Sequence, residues 1–301
     1  NQAAHTLDLY RPTGGVHFHK QRRLQEDVNT FNDFRHNGTN EGCLPKSDIV
    51  LQGQDPYMIT EYCGHMYPTK MWDDEAHRLN HALRHAAVVN AAEGRSDEGI
   101  AGATGWCFAD YNTHAQFGSG DRICYHGVMD MFRNPKMAAA VYKSQVEYEP
   151  VLEVATDMKS GELPECIIGD IYVFTNCDSV LLYKDDELIG EYLPDETQYG
   201  SMIHPPVIIT GLQGEQVKPS EPARWRFEGV KDGQIVITKV KTPGSSIFYK
   251  FFADKREMVE AETYDAAAIH IEAVDENDNH IYTAMDPMIL SADGAIKLIG
   301  P

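Results

Sequence analysis

Glu61 is the residue of this sequence best placed to do chemistry. Tyr57-Met-Ile-Thr60 reads as a short buried strand, and the carboxylate of Glu61 follows it directly. A buried carboxylate is costly unless it is paired or functional. The C-terminal ends of the parallel strands of a barrel are where active sites are built, so Glu61 is a candidate catalytic group. A Glu that only bonds a neighbouring loop is the competing reading. Trp106 closes the next apolar run, Ile100 to Phe108. At a strand mouth an indole can stack on the apolar face of a sugar ring, although ordinary core packing gives the same pattern. The polar, glycine-punctuated stretch Asp110 to Arg122 has the composition of a binding loop or of a plain surface loop.

Other chemistries find less support. His77, His81 and His85 recur at every fourth position, so their rings share one helix face. No Asp or Glu at the right spacing completes a metal site, and hydrogen bonds to neighbouring helices are the expected role. There is no glycine-rich phosphate loop, nucleophile elbow or Cys-His nucleophile pattern, and no cofactor is expected.

The elements that must position Glu61 and Trp106 read as parallel βα units up to about residue 147. Strands are expected at Pro12–Phe18, Asp27–Phe34, Tyr57–Thr60 and Ile100–Phe108. An amphipathic helix is expected from about Glu75 to Glu93, capped by Asp73 or Asp74 and ended by a left-handed Gly94. A second helix should open with Asn134 and Pro135. After residue 147 the pattern changes to strands and turns. Gly169–Thr175, Ser179–Tyr183, Leu188–Ile189, His204–Thr210, Trp225–Val230 and Ile235–Val240 predict an antiparallel β-sandwich. Beyond a linker at Thr242–Ser246, the runs Ile247–Phe252, Ala266–Val274 and Ala295–Ile299 suggest a second, small sandwich with a turn at Asp275–Asn279.

Composition narrows the partners. The 301 residues carry 46 acidic and 26 basic side chains, a formal charge of −20, which repels phosphate backbones and anionic lipid. A neutral ligand such as a sugar meets no such barrier. Apolar residues make up 42% and no run approaches the roughly 18 needed to span a bilayer, so no membrane partner is expected. The first residues have neither the basic start nor the apolar core of a signal peptide. Six cysteines are scattered without CxxC spacing, which fits reduced thiols in a cytoplasm better than a zinc ribbon or disulfide framework.

Three segments resemble glycoside hydrolase family 2 in its β-galactosidase-like branch. They are Ile59 to Lys70 (ITEYCGHMYPTK), Gly105 to His114 (GWCFADYNTH) and Gly118 to Phe132. The resemblance is strong over residues 1 to about 147 and weaker beyond. It implies the second half, strands 5–8, of a (β/α)₈ TIM barrel over residues 1–147. A β-sandwich domain over 148–243 and a small immunoglobulin-like β-sandwich over 244–301 would follow. It further implies a retaining hydrolase of terminal β-galactosides. Glu61, at the end of barrel strand 7, would be the nucleophile that forms a covalent glycosyl-enzyme. Trp106 would lie under the sugar, His65 would contact hydroxyls, His126 would make a polar sugar or ion contact, and Asn32 or Asp33 would orient Glu61 or a sugar hydroxyl. Galactoside, glucuronide and mannoside enzymes share this scaffold.

One departure stands out. The family's acid/base is a Glu after an Asn at the end of strand 4, and no Asn-Glu in residues 1–30 fits. Asn40-Glu41 follows strand 6 in a polar loop and is read as coincidence. A complete barrel needs about 250 residues, so the chain reads as part of a longer enzyme that must meet its missing half. A homo-oligomer is open. The alternative is that the isolated chain is a non-catalytic carbohydrate-binding or assembly module.

Overall fold

A short exposed helix, α1 (Gln2–Leu7), leads to β1 (Asn29–Asn32) in a computed structural model of the chain. The structure describes residues 2–63, 67–116, 120–159, 163–212, 215, 217, 220, 222–244 and 246–299. Two units separate, Asn1–Gly244 and Ser245–Pro301. In the first, β1 is followed by a single-turn helix, α2 (Lys46–Ile49), then β2 (Tyr57–Tyr62), α3 (Glu75–Glu93) and β3 (Ile100–Gly105). The strands form a parallel sheet in the order β1-β2-β3. Tyr57, Ile59 and Tyr62 from β2 share a core with Phe31, Ile49, Val50, Val88 and Ile100, which packs α3 behind the sheet. The strand expected at Pro12–Phe18 is reduced to one parallel bridge, Gly14 to Val28.

Helix α3 begins where Asp74 Oδ1 accepts the His77 amide at 2.8 Å. Gly94 does not take the expected left-handed cap: its φ is −64°. Its value lies in size, since a Cβ there would meet Ser201 Oγ at 2.7 Å. A hairpin of two two-residue strands, β4 (Tyr111–Asn112) and β5 (Ile123–Cys124), precedes α4 (Met137–Lys143). This helix starts later than the Asn134-Pro135 signal predicts. Asn134 is held instead by Asp130, which accepts both its backbone and side-chain N–H groups at 2.8 Å.

Two antiparallel sheets follow. The first contains β6 (Leu152–Val154), β7 (Ile171–Thr175) and β10 (Val207–Ile209), in the order β10-β7-β6. The second contains β8 (Ser179–Lys184), β9 (Glu187–Tyr192), β11 (Trp225–Lys231) and β12 (Gln234–Lys241), in the order β12-β11-β8-β9. A short helix, α5 (Glu196–Tyr199), lies between β9 and β10. Leu152, Val173 and Ile209 from one sheet join Leu182, Trp225 and Phe227 from the other in one core, the arrangement of a β-sandwich. Both hairpin turns of the second sheet use left-handed pairs, Asp185-Asp186 and Asp232-Gly233.

The second unit is simpler than a sandwich. It holds an antiparallel pair, β13 (Phe248–Ala253) and β14 (Ile269–Val274), with the Asp275 carboxylate closing the following turn on Asn277 and Asn279. Ala295–Ile299, expected as a strand, is not one. Phe251, Phe252, Ile289 and Ile299 are exposed, and among the described residues of this unit no second sheet covers the pair.

Candidate active site

The end of β2 breaks the simple alternation of its residues. Phe31 pairs with Ile59, but the next residue of β1, Asn32, pairs with Glu61. One extra residue, Thr60, is therefore inserted in β2, and the pairing to β3 shifts over the same stretch. The insertion reverses the facing that follows it. Strict alternation after Tyr57 and Ile59 would turn Glu61 into the core behind the sheet. Instead Tyr62 is buried there and Glu61 is half-buried on the opposite face. Thr104 Oγ1 donates to the Thr60 carbonyl at 2.8 Å and reaches that of Ile59 at 3.2 Å, satisfying backbone at the irregularity.

Both neighbours clasp this strand end. The Asp33 amide donates to the Glu61 carbonyl at 2.8 Å, and the Trp106 amide to the Tyr62 carbonyl at 2.9 Å. Asn32, Glu61 and Trp106 thus stand at the C-terminal ends of three adjacent parallel strands. Burial pushes the Glu61 carboxyl above its ordinary value, while a hydrogen bond from the Asn32 side chain pulls it down. The Thr60 hydroxyl donates to Asn32 Oδ1 at 2.9 Å, which directs the amide N–H₂ of Asn32 toward its other neighbours. Among the described residues no charged side chain acts on Glu61. Trp106 is half-buried, its ring edge-to-face with Tyr111 at 5.9 Å, and the Trp106–Cys107 peptide is cis.

The remaining sequence candidates divide. Asp33 is buried, and its carboxylate caps the loop after β1 by accepting the Arg35 and Leu44 amides at 2.9 and 2.7 Å. His126 is buried beside the hairpin, its Nδ1 3.3 Å from Cys124 Sγ. His65 lies outside the described residues. The three helix histidines part company as well. His77 stacks on Tyr67 at 4.3 Å and meets the Pro68 carbonyl at 2.9 Å. His85 Nδ1 lies 2.7 Å from the Tyr142 hydroxyl, which lies 2.5 Å from that of Tyr62. Burial holds His85 neutral, its pKa down to about 3, and burial likewise lowers His81.

Sequence reasoning missed a buried ion pair behind the site. Lys136 Nζ donates to Asp110 Oδ1 and to the Thr69 carbonyl, both at 2.6 Å, while Asp110 also accepts the Gly127 amide at 2.9 Å. Burial opposes charge on both partners, and their contact opposes that burial effect. The pair ties the segment after β2, the strand that carries Glu61, to the segment after β3 that begins with Trp106. The visible signal was a lysine at a helix start, where a cation is normally disfavoured.

No family model matches the chain. A β-galactosidase of Thermoanaerobacterium thermosulfurigenes is 38% identical over 312 residues, covering 100% of this chain and 43% of that protein. A β-galactosidase of Thermoanaerobacter pseudethanolicus is 35% identical over 308 residues, covering 100% of this chain and 40% of that protein. The chain is similar to these β-galactosidases over its whole length. It spans less than half the length of these relatives. A solved β-glucuronidase from glycoside hydrolase family 2 shares the fold at a TM-score of 0.56 and 20% identity. That match covers 85% of this chain and 26% of that one.

Proposed function

We propose that this chain is the nucleophile-bearing part of a retaining β-galactosidase. The observation that carries the reading is Glu61 at the end of the central parallel strand, turned out of the core by an inserted residue and held by Asn32. Its sheet is read as part of strands 5–8 of a (β/α)₈ barrel, with residues 148–243 and 244–301 as the sandwich domains that follow. Glu61 attacks the anomeric carbon and forms a glycosyl-enzyme that water hydrolyses. Trp106 supports the sugar ring, and Asn32 orients Glu61 and opposes the rise that burial causes in its pKa. His126 and His65 are second-rank candidates for hydroxyl contacts. Retaining enzymes place their two carboxyl groups about 5–5.5 Å apart. Such proximity would perturb Glu61, and no acidic neighbour among the described residues does so. The acid/base is therefore assigned to the remainder of a longer enzyme, and the chain alone is expected to be inactive.

The test uses the full-length enzyme on an activated β-galactoside. Glu61→Gln is expected to abolish turnover, and a 2-deoxy-2-fluoro galactosyl donor is expected to label the peptide containing Glu61. Normal kcat in Glu61→Gln, or a label on another carboxylate, refutes the assignment. Hydrolysis by residues 1–301 alone would refute the split of the two carboxylates.

A further inference from the structure

The Lys136 side chain is buried at the start of α4, and its ammonium meets three oxygens from three separate segments. The Thr69 carbonyl and Asp110 Oδ1 each lie at 2.6 Å, and the Tyr125 carbonyl at 3.3 Å. Three acceptors use the three N–H donors of an ammonium. The lysine backbone holds the same region, because its amide donates to the Val128 carbonyl at 2.9 Å. Short bonds lead from this centre to Trp106. Asp110 accepts the Gly127 amide at 2.9 Å, and the Asp110 amide donates to the Met129 carbonyl at 3.0 Å. One residue before Gly127, the His126 carbonyl accepts the Cys107 amide at 3.2 Å, which belongs to the peptide that follows Trp106. A Cβ at Gly127 would lie 2.3 Å from the Asp110 amide nitrogen, so the two segments touch backbone to backbone.

We propose that Lys136 is a positioning residue for Trp106, holding the indole at the end of β3 in the orientation in which a sugar ring stacks on it. The inference rests on the reading of Trp106 as the sugar platform. Trp106 is held on one side at its own amide, which donates to the Tyr62 carbonyl of β2. On the other side it is held through the next peptide, by the segment from His126 to Met129 that Lys136 and Asp110 tie down. Lys136 therefore acts through Asp110 and that segment, and not on the sugar.

Stability alone does not account for the pair. A buried ion pair gains little over apolar packing of similar volume, because both charges lose their water. What it fixes is geometry: an ammonium with three satisfied donors holds the segments that carry its acceptors in one arrangement. The effect falls on Trp106 rather than on Glu61. Burial and the Asn32 side chain act on the Glu61 carboxyl, whereas Lys136 and Asp110 do not. Loss of Lys136 is therefore a loss of sugar binding that leaves the proton chemistry of Glu61 untouched.

The experiment labels the 301-residue chain with 5-fluorotryptophan, which gives one ¹⁹F signal each for Trp72, Trp106 and Trp225. Trp106→Phe assigns the Trp106 signal. Lys136→Met combined with Asp110→Asn removes both charges, so neither is left buried and unpaired. The expected result is a shifted and broadened Trp106 signal beside an unmoved Trp225, which lies in the sandwich core and reports folding. An unmoved Trp106 signal overturns the proposal, because a purely structural pair would lower stability without moving the indole. If the double variant does not fold, Asp110→Asn alone, which leaves the ammonium on its two carbonyls, is read with the same two outcomes. In the full-length enzyme the double variant should raise KM for a β-galactoside about tenfold with kcat within about twofold, the pattern of lost uniform binding, and with the acid limb of the pH profile unmoved. An unchanged KM, or a loss confined to kcat, also overturns it. The ¹⁹F readout needs no turnover: normal kcat in Glu61→Gln would sink the nucleophile reading, while the Trp106 signal would still decide the role of Lys136.

Discussion

Removing the Asn32 amide should raise the pKa of Glu61 by about one unit. The amide is the only group among the described residues that lowers this carboxyl, and burial alone would then set it. Hydrogen bonds to charged groups contribute about 1.5–3 kcal/mol. Glu61 is only half-buried, so solvent replaces part of the loss and the lower end applies. At 1.36 kcal/mol per unit, that is about one pKa unit. The sign is fixed by what the donor stabilises: Asn32 favours the charged form, so Asn32→Ala favours the neutral form. In the full-length enzyme the acid limb of kcat/KM should move up by about one unit, with the basic limb unmoved. Carboxyl ¹³C NMR on the chain itself gives the same pKa without turnover, using Glu61→Gln to assign the signal. Thr60→Val, which removes the hydroxyl donated to Asn32 Oδ1, should shift the pKa in the same direction by less. An unmoved or lowered Glu61 pKa in Asn32→Ala would refute the role given to Asn32.

Two further predictions concern the scaffold. A Cβ at Gly105 would lie 2.5 Å from the Tyr142 hydroxyl, so Gly105→Ala should cost about 1–3 kcal/mol in urea unfolding. The cost should be smaller in a Tyr142→Phe background, where the clashing oxygen is gone; equal costs in both backgrounds would show that the clash lies elsewhere. Glu75 is buried at the start of α3, and burial raises its carboxyl from 4.5 to about 7, although the Asp157 amide donates to it at 2.7 Å. The folded state then holds this proton more tightly than the unfolded state, so stability falls as pH rises from 4.5 through 7. Glu75→Gln should remove that fall, a gain of up to about 3 kcal/mol above pH 7 and little below 4.5, read from urea unfolding at several pH values.

The βα pattern was legible because its signals are local. Tyr57, Ile59 and Ile100 mark strands by apolar runs, and Asp74 marks the start of α3 by a side chain that caps its own helix. Features that depend on partners distant in sequence were not. Asn134 looks like a helix cap until Asp130 is seen holding it, and Gly94 looks like a left-handed cap until Ser201 is seen against it. Ala295–Ile299 has strand composition, but composition does not provide a strand to pair with. Asp33 and Asn32 are adjacent and equally polar. Only the register shows that Asn32 sits opposite Glu61 while Asp33 caps the loop.

The inserted residue in β2 connects the core to the candidate chemistry. Without it, Tyr57, Ile59 and residue 61 would all face α3, and a carboxylate there would meet the neutral His85–Tyr142 network with no cation to offset its burial. With it, Tyr62 takes the inner position and joins that network through its hydroxyl, while its carbonyl holds the Trp106 amide. Glu61 is released to the other face, where Asn32 meets it. The same displacement therefore fixes the strand from behind, ties it to Trp106 and exposes the carboxylate. This explains why the structure tolerates buried polar groups behind the sheet, including a His81 ring whose nitrogens have no partner among the described residues. An unpaired buried polar group costs about 1–3 kcal/mol. The hydrogen bonds among Tyr62, Tyr142 and His85 fix this strand end more tightly than apolar packing does, and the proposed role of Glu61 gives a physical reason to accept such a cost beside them.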